Sequence, residues 1–414
     1  MKHLALALCL LAYLSSLTAF GTGKSILFSD SYMLRAQGID AVYYNPALIS
    51  EAYTDVSLPI VNTGIFIANN SISLDTYNYV MKRDYLTDQD KEYLLSSMQP
   101  GMAVTSEMHT SIFGLTMGNV GLASSAHLYS RGSISRQYLE LLLYGNQDSL
   151  YVFNKQDNNL SLLTFTDISL GIGDINIPLP ESWNTTMKVG ASGSLLIGIE
   201  DIYTHKFDGR FSSGFDGLAL SQEVVMNTGV GGAGFKGMLG TVVQPLPYLK
   251  LGATLDNILG FIKWGLNTEA VTYTFRADSI YVADIEDDFF TDEVTRSQIG
   301  SYSTELPMEL RLAALYQAGL HSISVDWVLP AGGSVIGANK GVLSFGAEVN
   351  PLKYFPLHLG FSPGNSEVPA RYSFGLGIKT SYGDFGAGYQ SFDSLIPGSS
   401  SKGVSLGTYF SFDL

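Results

Sequence analysis

Six histidines, one cysteine and a glycine-rich string are the residues with the widest chemical reach in this chain. His109 and His127 flank one hairpin, read across Gly118-Asn119. Pairing Met117 with Val120 across that turn sets position 109 opposite 128 and 127 opposite 110, so the two imidazoles are expected on opposite faces of the sheet. That geometry argues against a metal pair or a shared proton relay. His321 and His358 stand isolated in strand-like surroundings, with no acid or serine arrangement beside them. A hydrolase triad stays open only because triads assemble in space and not in sequence.

Gly229, Gly231 and Gly234 satisfy a G-x-G-x-x-G string, which would suggest a dinucleotide site in a strand-turn-helix setting. Here Gly232, Gly237 and Gly240 continue the glycines and no helix follows, so the segment reads as a strand with a small-residue face. The acidic positions Asp284, Glu286, Asp287, Asp288, Asp292 and Glu293 lack ordered ligand spacing and read as a solvated loop, not a calcium site. Cys9 lies in the first dozen residues, which removes disulfides, thiolate nucleophiles and cysteine metal sites from the mature chain. The expectation is a protein that is not an enzyme, with no catalytic residue, no cofactor and no metal.

What would carry those residues is a sheet. The 414-residue chain is 46% hydrophobic and 12% aromatic but only 15% charged, where a soluble domain carries about 25%. Abundant Gly, Tyr and Phe favour strands and turns. The formal charge of -15 excludes a nucleic-acid partner, whose binding needs dense basic neutralisation.

Residues 1–19 read as a signal peptide: Lys2 and His3 start it, an apolar run follows, and small residues surround a cleavage site near Ala19. Cys9 follows bulky Leu8 and sits too early for a lipoprotein acceptor. Beyond this leader, no apolar run reaches the roughly 20 residues of a membrane-spanning helix. An exported chain of this kind is a secreted β protein or an outer-membrane barrel.

Alternation decides for the barrel. Phe410, Phe412 and Leu414 share one face of a terminal strand with Val404, Leu406 and Thr408, while Ser405, Gly407, Tyr409, Ser411 and Asp413 occupy the other. The same dyad pattern recurs at residues 372–378, 385–389, 357–361, 343–349, 323–327, 310–316, 249–255, 187–195 and 164–172, and in the hairpin 112–128. The fold class read from this is all-β: a transmembrane antiparallel barrel of about 14 strands. Two helical insertions interrupt it, one opened by a Thr87/Asp90 capping box and one running from Ser135 to Gly145.

Residues 35–48 read R-A-Q-G-I-D-A-V-Y-Y-N-P-A-L, just before the first strand. This resembles the segment preceding the barrel in the FadL and PorV superfamily of outer-membrane proteins. Asn45, Pro46 and Ala47 match its Asn-Pro-Ala motif residue for residue, flanked by Tyr43 and Tyr44, with Gly38 alone in place of a richer glycine lead. Weaker matches at residues 57–60, 118–122, 139–146 and 251–264 make the chain similar to an uncharacterised branch of that superfamily over residues 30 to 414.

The resemblance implies a plug or hatch segment over residues 20–54, including Gly38, Tyr43, Tyr44, Asn45, Pro46 and Ala47, and a barrel over residues 55–414. It implies a channel for hydrophobic, fatty-acid-like small molecules in the outer membrane or, as the alternative, a PorV-like scaffold for protein secretion. Expected partners are membrane lipid, the barrel-assembly machinery, and a hydrophobic small molecule or secreted proteins. Pro46 would fix a bend, Asn45 would bond neighbouring backbone, and Ala47 would permit close packing.

Overall fold

The computed structural model describes residues 22–51, 54–57, 62–145, 147, 150–180, 185–214, 217–280, 290–331, 341–365 and 369–413. Residues 1–21 and Leu414 lie outside them, as does most of the acidic stretch.

Eighteen strand segments form one antiparallel sheet, and collinear segments merge into fourteen staves among the described residues. In chain order these are β1 (Thr54–Ser57 with Thr63–Asn69), β2 (Gly101–Met117), β3 (Val120–Ser135), β4 (Tyr151–Asn154 with Asn159–Ile177), β5 (Thr186–Gly214), β6 (Gly217–Leu246) and β7 (Leu249–Ile280). They continue as β8 (Phe290–Gln298, Tyr302–Glu305 and Met308–Ala318), β9 (His321–Ala331), β10 (Val342–Leu352), β11 (Phe355–Ser362), β12 (Arg371–Lys379), β13 (Gly383–Phe392) and β14 (Gly403–Asp413). Each broken stave pairs with unbroken neighbours, as β8 does with β7 along all three of its segments. The last stave pairs with the first, Val404 opposite Ile67 and Phe412 opposite Val56, which closes the barrel and removes its edges.

The alternation explains the wall. Ser405, Gly407 and Tyr409 are buried inward while Leu406 and Phe412 are exposed. Ile168, Leu170 and Ile172 on β4, Leu195, Ile197 and Ile199 on β5, and Phe374 and Leu376 on β12 likewise point outward. So large an apolar outer surface is what a lipid-facing band requires.

The two ends of the barrel differ. At one end the staves join through tight turns, such as Gly118-Asn119 and Pro247-Tyr248, and the N-terminal segment enters there. At the other end the connections are longer and carry three helices: α3 (Leu74–Met81), α4 (Asp88–Ser97) and α5 (Arg136–Tyr144). The Thr87/Asp90 capping box opens α4, and α5 runs from a Ser135 cap to Gly145 at φ +71. Leu94, Leu95 and Met98 of α4 pack with Leu139 of α5 onto Met102 and Val104 of β2.

The interior of the tight-turn end is filled by α1 (Gly23–Ile26), α2 (Gly38–Tyr44) and a 3-10 turn (Pro46–Glu51). Ile39 and Val42 of α2, Ala47 and Ile49 of the turn, and Met33 before α2 form one buried cluster with Ala123, Val242 and Leu315 of the wall, while Ile26 of α1 packs with Leu27, Phe28, Tyr32 and Tyr409 in a second.

Candidate functional site

The plug meets the wall through a bend that the sequence dictates. α2 ends at Asn45, whose side-chain Oδ1 accepts from Ala47 N at 3.2 Å and whose Nδ2 donates to Thr241 O at 3.3 Å. Pro46 then starts the 3-10 turn at the position where a missing N–H costs nothing. Three neighbouring staves carry glycine where this bend touches them. A Cβ at Gly173 or Gly190 would run into the Pro46 backbone, and one at Gly240 into Asn45 and the proline ring. Ala47 is fully buried in the same seat, and Gly38 opens α2 at φ +55.

The plug residues before Gly38 are tied differently. Lys24 bonds Asp384 on β13, and Asp30 pairs with Arg371 on β12 at 2.8 Å. Arg35 donates to Ser324 and Ser322 on β9 at 2.9 and 2.6 Å. Asp326, also on β9, accepts from the Ser31 hydroxyl at 3.0 Å and from Met33 N at 2.9 Å. Burial works against the Lys24 ammonium, but the Asp384 charge and hydrogen bond, with Tyr409, outweigh it and hold the amine protonated. Asp40 is the opposite case: burial raises its pKa although Tyr32 and Asn62 both donate to it.

The histidines correct the expected geometry. His109 lies directly opposite His127, because Ser111 pairs with Ser125 and Phe113 with Ser124, leaving Ile112 as an extra residue. One bulged residue reverses the face of everything beyond it. Both imidazoles therefore point inward, Nδ1 to Nδ1 at 3.2 Å. His127 Nε2 meets Asp167 at 2.8 Å, and Asp167 also accepts from the Tyr43 hydroxyl of the plug at 2.8 Å. Two consecutive outward side chains, Ile112 and Phe113, break the period of two and are the one sequence signal of that bulge.

His358 is not isolated either. Its Nε2 lies 3.0 Å from Tyr409 Oη, its Nδ1 is 3.8 Å from the Glu348 carboxylate, and Phe28 of the plug meets it edge-on. Sequence proximity hid both clusters, since their members come from separate staves. Among the described residues no group of three or more His, Cys, Asp or Glu is arranged to hold a metal ion.

On the loop side of the plug the inner wall turns aromatic. Phe165 stacks on His127 at 4.7 Å, next to Tyr129. Trp264 of β7 is completely buried and lies across β6 onto β5, where Gly198, Gly229 and Gly232 leave room for its ring. Two glycines of the string, Gly229 and Gly232, serve this ring, while Gly231 turns at φ +73 beside Leu266 and Gly234 meets the Phe261 backbone. The indole Nε1 donates to Thr304, which donates to Asp201. Leu163, Leu196, Ile262 and Leu306 complete this shelf. Toward the tight turns, a cavity of about 370 Å³ beneath the plug is lined by Lys24, Arg35, Lys250, Lys379, Glu348 and Asp384 among others.

A closed sheet of fourteen staves with the chain's own N-terminal segment seated inside matches solved structures along nearly its whole length. The crystal structure of the Pseudomonas putida toluene transporter TodX superposes with a TM-score of 0.51, covering 96% of this chain and 99% of that one at 12% identity. A Pseudomonas aeruginosa FadL homologue gives 0.50, with 96% and 99% covered at 11% identity. The fold is that of the FadL-type barrels.

In sequence, a profile described as a family of unknown function (DUF5723) matches residues 46–236, and no curated protein matches. The profile begins at Pro46, within the plug bend of this FadL-type barrel. Tyr43 and Tyr44, which flank the tripeptide, are used separately: Tyr43 reaches Asp167, while the Tyr44 hydroxyl accepts from Thr22 N. On β14, Phe410 and Phe412 pack edge-to-face with each other on the outer side.

Proposed function

We propose that this protein is a non-enzymatic outer-membrane channel for hydrophobic small molecules, and that residues 22–51 act as its hatch. The observation that carries the reading is the stacking order inside the barrel: an aromatic shelf around Trp264 on the loop side, then the plug, then a polar cavity at the tight-turn mouth. A hydrophobic molecule gains by leaving water for the shelf and can pass only where the plug yields. The outer-membrane location rests on the apolar outer band and on the shared fold; Phe410 and Phe412 then face lipid. TodX, with the same fold, is named a toluene transporter.

The test is uptake of the hydrophobic dye N-phenyl-1-naphthylamine and of oleate by cells that make wild type, no protein, or a variant lacking residues 22–51. Wild type should exceed the null strain and the deletion should exceed wild type. Equal uptake in all three would reject the channel.

A secretion scaffold is the second reading, favoured by one observation. β5, β6 and β7 have 29, 30 and 32 residues, whereas about 9–11 cross a membrane. The surplus would stand beyond the lipid as an upright sheet with Tyr273 and Val294 exposed. Trimming that projection should abolish a scaffold and leave a channel working.

A further inference from the structure

The paired histidines sit between the plug and the aromatic shelf and touch both. Tyr43 of α2 lies edge-on to His109, with ring centres 5.9 Å apart, while its hydroxyl bonds the carboxylate that holds His127. Ser125 fixes the arrangement from the other side, donating its amide to Asp167 at 3.2 Å and its hydroxyl to Tyr43 at 3.1 Å. Phe165 caps the His127 ring. His109 Nε2 has no hydrogen-bond partner among the described residues.

An Nδ1 to Nδ1 contact of 3.2 Å is a hydrogen bond only when one nitrogen carries a proton and the other does not. We propose that the His109–His127 pair is an acid-sensitive latch: it holds Tyr43, and through it helix α2, against β2, β3 and β4, and lets go when the second imidazole takes up a proton. This rests on the hatch reading above and supplies its regulation.

With both rings protonated, two N–H donors face each other, and the Tyr129 hydroxyl, 3.5 Å from His127 Nδ1, is too far to offset the clash as a good acceptor. His127 is anchored at its far end by Asp167, so the ring that moves is His109, and with it goes the edge on which Tyr43 rests. Charged and titratable groups lie around the pair. Glu107 lies on the same inward face of β2, two residues from His109 and opposite Tyr129 of β3. Lys236 of β6, 3.6 Å from Asp256 of β7, is the cation nearby on the neighbouring wall. From the plug side, Tyr43 is the titratable group that reaches the pair.

The size of the effect follows from linkage. If docking withholds one proton that an undocked imidazole with the ordinary value of about 6.5 would take up, lowering the pH from 7.5 to 5 multiplies the undocked-to-docked ratio by roughly thirty. The experiment is open probability in planar bilayers, in potassium chloride at pH 7.5 and pH 5. It compares wild type, His109→Phe, His109→Gln and the deletion of residues 22–51.

Wild type should open in acid by about that factor, both point variants should lose the acid opening, and the deletion should be open at both pH values. His109→Gln keeps a partner for His127 Nδ1 without titrating, so it serves if the phenylalanine variant does not assemble. Acid opening that survives in the non-titrating variants would overturn the latch and move the response to another group, such as His358. Wild type indifferent to pH beside an open deletion would reject the latch and leave the hatch standing. A deletion no more conductive than wild type would remove the hatch, and the latch with it.

Discussion

The plug has two halves that share the same glycine seating and differ in how much charge they add to it. Before Gly38, Gly23, Leu27 and Phe28 lie over Gly407, Gly375 and Gly360, and charge adds to that fit on β9, β12 and β13: Lys24 on Asp384, Asp30 on Arg371, Arg35 on two serines. After Gly38 it is held mainly by shape, with Ile39, Val42, Pro46 and Ile49 lying over Gly114, Gly121, Gly173, Gly190 and Gly171. Charge pairs gain energy only when both partners are present and answer to protons and salt. Glycine seats answer to neither and fix position by leaving room for one backbone path. The half after Gly38 is where the sequence resemblance lay, and its Tyr43 is also where the proposed latch acts.

The largest effect is expected from breaking a buried pair. Asp30→Asn leaves the Arg371 guanidinium, almost fully buried, without that carboxylate, and removing one partner of such a pair costs about 3–5 kcal/mol. Open probability in bilayers should rise strongly, and Asp30→Asn combined with Arg371→Met should recover most of the loss. A double variant as open as the single one would mean that the pair itself, and not the abandoned charge, held the plug.

Next comes an overfilled seat. Gly190→Val pushes a side chain against the Pro46 and Ala47 backbone, which has no soft atom to give way, at about 1–3 kcal/mol. The channel should open, and in the His109→Phe background the ratio of Gly190→Val to its parent should be the same at pH 7.5 and pH 5. A pH-dependent increment would show that the two halves share one mechanism.

Much of this architecture was legible beforehand, and the part that was not has a common cause. Period-two alternation gave the wall, and the Thr87/Asp90 and Ser135 caps gave α4 and α5, because those signals are local. The signals that failed are relational. Ile112 shifted a register and brought His109 onto His127; nothing local to either histidine records that. The breaks within β8 and the full lengths of β5 to β7 depend on what each stave pairs with. The glycines of β4, β5 and β6 read as small-residue strands, but that they receive Pro46 or Trp264 emerges only when staves are set side by side. Helices α1 and α3 carry too few periodic residues to announce themselves.

A smaller effect should come from Asp40, where the sign of the pH dependence distinguishes it from the histidines. Its pKa is raised in the docked plug by burial, so its contribution to docking is complete below the ordinary carboxyl value of about 4 and is lost as pH rises through the raised value. Acid therefore favours docking through Asp40 and disfavours it through the histidine pair. Asp40→Asn should lower open probability at pH 7.5 and leave it unchanged near pH 4. In the His109→Phe background, whatever pH response remains should run in reverse, closing in acid. An Asp40→Asn channel that opens more at pH 7.5 would show that the carboxylate's bonds to Tyr32 and Asn62 outweigh its burial.

The smallest effect tests whether the two halves are independent. Pro46→Gly keeps the glycine seats of β4 to β6 but frees the chain in the undocked state, which should cost about 0.4–1 kcal/mol of docking, a two- to five-fold rise in open probability. Raising potassium chloride from 0.1 to 1 M screens the partly exposed pairs Lys24–Asp384 and Lys250–Glu51, so wild type should open somewhat more at high salt. Because the bend carries no charge, the ratio of Pro46→Gly to wild type should be the same at both salt concentrations. Effects at sites without shared partners add. A ratio that shrinks toward one in 1 M salt would mean that loosening the bend already releases the ion pairs, and that the plug leaves its seat as one rigid body.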